Sequence, residues 1–258
     1  MPMPEGLIMI RFLLPFLLVA ALLGGCQTLP EQRVNERVLD HPELVTGGGR
    51  VLLLPIDVEI KEMSASGLSE VVPAWTDTAR GLLRQQLLAR GATLLRAREL
   101  QPLPTDLDPE LAQQVEEHNK LAKLVWADAF LMNRLGGPAW AHKARHFDYS
   151  LGPGLAPLAE HTGADRALLV LGEDVHTTAG RKALMIGLAA LGVAVPLGHT
   201  FVSVALVDLH SGDLLWMNTY LRGDDTSLLE AEDVRKVLDT LFAGYPGIEA
   251  YRQFARSE

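Results

Sequence analysis

The chain has a single cysteine, Cys26, and it closes an apolar run that begins at Phe12. One thiol allows no internal disulfide and no cysteine-based zinc or redox site. Whatever follows must be held together by a hydrophobic core. Composition supplies one: 48% of the 258 residues are hydrophobic and 21% charged, an ordinary globular balance. This length suits one domain once the N-terminal segment is set aside. The formal net charge of −9 disfavours nucleic acid and anionic headgroups as partners of the bulk surface. The sequence holds no internal repeat, low-complexity tract or like-charge tail.

Arg11 precedes the apolar run, and Leu23, Gly24 and Gly25 end it with small residues. That is the grammar of a secretory signal, and the run falls short of the roughly 20 residues a membrane-spanning helix needs. Translation from Met9 rather than Met1 would place Arg11 and the run directly at the start. Leu23-Gly24-Gly25-Cys26 resembles the lipobox of bacterial lipoproteins. The resemblance implies cleavage before Cys26 by the lipoprotein processing machinery. It implies a covalent acyl-bearing lipid on Cys26, with no other cofactor, and a membrane partner held through that lipid. By the family's sorting rule, Gln27 rather than Asp implies the outer membrane, with the protein on its periplasmic side. Residues 1–25 are thus expected to be a signal peptide and 26–49 a lipidated, flexible tether ending in Gly47-Gly48-Gly49. About 20 such residues reach at most roughly 70 Å. Residues 50–258 are expected to form one periplasmic domain.

In that domain, Val51-Leu52-Leu53-Leu54-Pro55 reads as a buried strand and 61–72 as a loop. Ala79, Leu82, Leu83 and Leu87 share one helix face, capped by Thr76 or Asp77 and closed by Gly91. Ala92–Leu95 would be a short strand. Asp108-Pro109 opens a helix running toward Leu135, and Leu155–Thr162 another, stopped by Gly163. Ala167–Leu171 is a buried strand. Thr200–Leu209 and Leu214–Leu221 form a hairpin about Ser211-Gly212. Ser227 and Glu230 suggest a capping box for the last helix. The expected class is α/β, a mixed sheet of about four to five strands with packed helices.

The order of elements over 50–221 is also similar to a group of outer-membrane lipoproteins that includes the curli secretion-channel lipoprotein and the penicillin-binding-protein activators. The shared features are Leu54-Pro55, Leu87-Leu88 with Gly91, Gly163-Ala164-Asp165, and the hairpin carrying Asp208, Gly212 and Trp216. Residues 100–154 depart from that pattern.

Three constellations could carry function. Ala183–Gly198 is apolar throughout, with Leu184, Met185, Ile186, Leu188, Leu191, Val193, Val195 and Leu197. It must be core or must touch membrane, a partner or another copy of the chain. His142 and His146 are spaced to share a metal on a helix, yet Lys143 stands where a metalloprotease needs its glutamate, so no metal is assigned. Glu173, Asp174 and His176 cluster at a strand end and could exchange protons. No phosphate loop, nucleophile elbow or dinucleotide fingerprint is present. The expectation is a non-enzymatic, lipid-anchored envelope assembly, secretion or maintenance factor with a protein partner. The alternatives are a periplasmic enzyme or metal-binding protein, and a ring-forming pore subunit.

Overall fold

The computed structural model describes residues 32–96, 99–135, 146–189, 198–223 and 226–256, all within the compact unit Glu31–Glu258. Leu23, Gly24, Gly25, Cys26, His142, Leu191, Val193, Val195 and Leu197 lie outside them.

The described elements, in chain order, are β1 (Arg33–Val34), α1 (Glu36–Asp40), α2 (Glu43–Thr46), β2 (Arg50–Leu53), β3 (Asp57–Met63), β4 (Ser69–Val71), α3 (Pro73–Leu94), β5 (Glu99–Pro102) and α4 (Pro109–Leu135). There follow α5 (Ala156–Thr162), β6 (Arg166–Thr177), α6 (Ala179–Ala189), β7 (His199–Asp208), β8 (Leu214–Arg222), α7 (Ala231–Phe242) and α8 (Ile248–Arg256). The α/β class holds, but the sheet is an 8-stranded one rather than one of four to five strands. Its main path runs β1-β8-β7-β6-β2-β5. The β1, β8, β7 and β6 pairings are antiparallel, while β2 and β3 run parallel to β6.

The extra strands have simple causes. Pro55 offers no N–H, so the opening run breaks there into β2 and β3. The two pieces pair in succession along one side of β6, Leu53 opposite Leu168 and Asp57 opposite Leu171. The Pro55 carbonyl instead accepts from Asn119 Nδ2 at 2.7 Å. In β3 buried Val58 and Ile60 alternate with Asp57, Glu59 and Lys61, the period of a strand with one packed face. The stretch expected as a loop at 61–72 is the rest of β3 and the β4 hairpin.

The tether expectation also changes. Residues 33–46 add a strand and two helices, with Val34, Val38 and Val45 fully buried. The β1–β8 pairing and the burial of Val34, Val38 and Val45 dock this otherwise polar segment.

Helix α3 starts earlier than expected, with Pro73 in its first turn, so Thr76 is no cap; its hydroxyl accepts from the Ile60 N–H at 3.0 Å. The helix runs through Gly91 to Leu94, so Ala92–Leu95 is not a strand; the strand is β5. The α4 cap holds: Asp108 Oδ1 accepts from the Leu111 N–H at 2.9 Å. Gly163, at φ +65°, stops α5 as expected. The capping box at α7 does not form. Asp233 Oδ2 instead accepts from the Ser227 N–H at 3.1 Å. At the β7–β8 turn, Asp208 Oδ1 accepts from the N–H groups of His210 and Ser211 at 2.9 and 3.0 Å. The chain then passes through Gly212 at φ +76°, so the turn is longer than two residues.

Candidate functional site

Alternation on β6 separates the two neighbouring acids. Glu173 lies in a row across the sheet, opposite Glu59 on β3 and Phe201 on β7, with Leu221 opposite Phe201 on β8. Helix α4 covers this face with Trp126, whose ring lies 4.3 Å from that of Phe201 and 5.0 Å from that of Phe130. Between helix and sheet is an open cleft of about 420 Å³. Its floor is aromatic and its rim charged. Buried Trp126 Nε1 finds no hydrogen-bond partner among the described residues.

The rim charges satisfy one another. Lys61 Nζ lies 2.7 Å from Glu173 Oε2 and 3.3 Å from Glu59 Oε2. Glu173 Oε1 accepts from His199 Nε2 at 2.8 Å. Lys123 Nζ is 2.7 Å from Asp57 Oδ2. Burial alone would push the Glu173 carboxyl up, but hydrogen bonds from Lys61 and His199 outweigh it and hold it below its ordinary value. The hydrogen bond to Glu173 in turn raises the Lys61 ammonium above its own, against the opposing effect of burial.

Asp174 faces the other side and is 2% exposed. One oxygen accepts from the Leu228 N–H at 2.8 Å and lies 2.9 Å from His176 Nε2; the other lies 3.0 Å from Thr200 Oγ1. His176 also meets the edge of Trp75, centroids 5.8 Å apart. This carboxylate ties the end of β6 to the segment leading into α7. His146 is exposed and pairs with Glu36. Among the described residues no group of three or more His, Cys, Asp or Glu side chains is placed to hold a metal.

No protein-family model matches the chain, and no curated protein matches it. Among solved structures, it is similar to the PelC dodecamer from Paraburkholderia phytofirmans, at 12% identity and TM-score 0.35, over 82% of this chain and 92% of that one. It is similar to lipoprotein GNA1162 from Neisseria meningitidis, at 14% identity and TM-score 0.31, over 76% and 99%. It is also similar to the LpoB C-terminal domain from Salmonella enterica, at 13% identity and TM-score 0.24, over 73% and 95%. Likeness of this degree assigns no activity to the chain.

A general base works best with its pKa near the working pH, and an amine nucleophile needs a depressed one. Glu173 and Lys61 are shifted in the opposite directions. Reading the sequence flagged Glu173, Asp174 and His176 but missed Glu59, Lys61 and His199. The alternation of Val58 and Ile60 with charged residues was the signal for the first two. His199 carried none, since its partner lies across a strand pairing.

The apolar segment is the other feature. In α6, Met185 is buried and Leu188 half-buried, while Leu184 is 46% and Ile186 70% exposed. The described part of this segment is therefore not a core helix. No helix among the described residues is long and apolar enough to cross a membrane.

Proposed function

We propose that the chain is a lipid-anchored protein of the bacterial envelope, sorted to the outer membrane. Its folded unit works by contact with a protein partner, in assembly, secretion or maintenance, rather than by turnover. One observation carries this reading. The sole cysteine ends the Leu23-Gly24-Gly25-Cys26 box, and Gln32, where the described fold begins, comes only six residues later. The pairing of Lys61 with Glu173, and their pKa shifts away from catalytic use, support a binding role.

The test is intact mass of membrane-extracted protein beside a Cys26→Ser variant, with inner and outer membranes separated. The expected result is a chain beginning at Cys26 with acyl mass added, in the outer-membrane fraction, and loss of both in the variant. An unmodified chain free of the membrane would overturn the anchor and turn attention to an enzymatic role for the cleft.

A further inference from the structure

Helix α6 connects β6 to β7 at one end of the sheet. A helix that is apolar all round belongs out of water. This one is covered only along the stripe of Met185 and Leu188, which leaves Leu184 and Ile186 facing solvent. The turn between β3 and β4 carries a further exposed apolar residue. Arg181 Nη1 donates to the Ser64 carbonyl at 3.5 Å, which holds that turn beside α6, and Leu68 on it is 69% exposed.

Within the β6–β7 connection the charge is positive: no acidic residue occurs between Asp174 and Asp208, and Arg181 and Lys182 open the helix, while Glu62 and Glu70 flank the β3–β4 turn and Glu230 lines the cavity that Lys182 borders. The direction of the chain adds a third observation. Strand β1 is antiparallel to β8, with Arg33 opposite Met217 and Val34 opposite Trp216. Strand β8 ends at Arg222, opposite Thr200, beside the α6 connection. Strand β1 therefore has its N-terminal end, Arg33, directed toward the α6 end. Five residues of strand separate Met217 from Arg222, about 17 Å. The seven residues from Arg33 back to Cys26 extend at most about 25 Å. A lipid on Cys26 is within reach of the bilayer lying against that end.

We propose that α6 and the β3–β4 turn dock on the surface of the bilayer that holds the Cys26 lipid. Leu184, Ile186 and Leu68 enter the boundary between headgroups and acyl chains, and Lys182 sits among headgroup phosphates. The inference rests on the lipoprotein reading above. The 11 residues of α6 rise about 16 Å, so the helix lies in the interface and does not span it. The folded domain takes the place of the polar face that an isolated interfacial helix would need.

The lone native cysteine makes a direct test available, because lipidation blocks its sulfur as a thioether. Ile186→Cys then adds the only free thiol, and His210→Cys supplies a control in the β7–β8 turn at the far end of the sheet. Each full-length variant is labelled with an environment-sensitive dye. Each is reconstituted in vesicles of phosphatidylethanolamine with a minority of phosphatidylglycerol, with and without a lipid-borne quencher. Intact mass reports acylation separately. The expected result is a blue-shifted dye at 186, quenched several-fold more than the dye at 210. An acylated protein with both dyes equally aqueous overturns the docking alone. Shielding at 186 that persists without lipid, with doubled or larger mass in solution, overturns it in favour of a second copy on this face. A chain without acyl mass overturns the anchor and the docking with it.

Discussion

On β6, Glu173 and Asp174 are consecutive and point to opposite faces of the sheet. Glu173 sits on the cleft rim, a third exposed on its side chain, where Lys61 and His199 hold it ionised. Asp174 is enclosed, and its oxygens serve the Leu228 N–H, His176 and Thr200. Removing a buried acceptor leaves donors without partners, at a cost of about 1–3 kcal/mol and more for a charged group. Asp174→Ala is therefore expected to lower unfolding free energy by about 3 kcal/mol in urea titration, with Asp174→Asn recovering part of it. Glu173→Ala is expected to cost less, about 1 kcal/mol, because the pair is only partly buried and Lys61 keeps Glu59 as a partner. Equal losses at the two positions would contradict this division of roles.

Among the elements, α3 packs closely on β5. Gly91 lies on its buried face, and a Cβ added there would stand 2.5 Å from the Leu100 Cβ on β5. Helix propensity alone would make Gly91→Ala stabilising by about 1 kcal/mol. The close approach to Leu100 reverses the sign, since overpacking costs about 1–3 kcal/mol. The expected net effect is a loss of about 1 kcal/mol, and an additional Leu100→Ala change should relieve it in a double-mutant cycle. By contrast Gly81, on the same helix, has open space about its Cα. Gly81→Ala should raise stability, which thermal unfolding of the pair would reveal.

At the scale of the whole molecule, the N-terminal residues 32–46 are part of the fold. Val34, Val38 and Val45 are fully buried, Trp216 Nε1 donates to Gln32 at 3.0 Å, and the Tyr245 hydroxyl donates to the Val45 carbonyl at 3.0 Å. Burying a valine is worth about 1.5 kcal/mol or more, so a chain begun at Gly47 is expected to lose about 4 kcal/mol relative to one begun at Gln27. Against a total of about 5–15 kcal/mol this is a large share. Matching denaturation midpoints for the two chains would contradict it. Strand β1 also closes one edge of the sheet against β8, so its loss would uncover β8 as a pairing edge.

Features that depend on neighbours along the chain were legible in the order of residues. Asp108 caps α4, Gly163 stops α5, and Asp208 and Gly212 shape the β7–β8 turn, because each acts on backbone within a few residues. The α/β class followed from the order of such elements. Features that depend on partners far away in the chain emerged on folding. β1 and β5 are too short to stand out and exist through pairing with β8 and β2. Lys61, Glu173 and His199 come from three strands and meet only when those strands lie side by side. Ala183–Ala189 is equally apolar whether enclosed or open, and only the packing of Met185 and Leu188 determines which side of α6 is left exposed. Local sequence specifies local geometry, whereas burial is a property of whatever else the folded chain brings near.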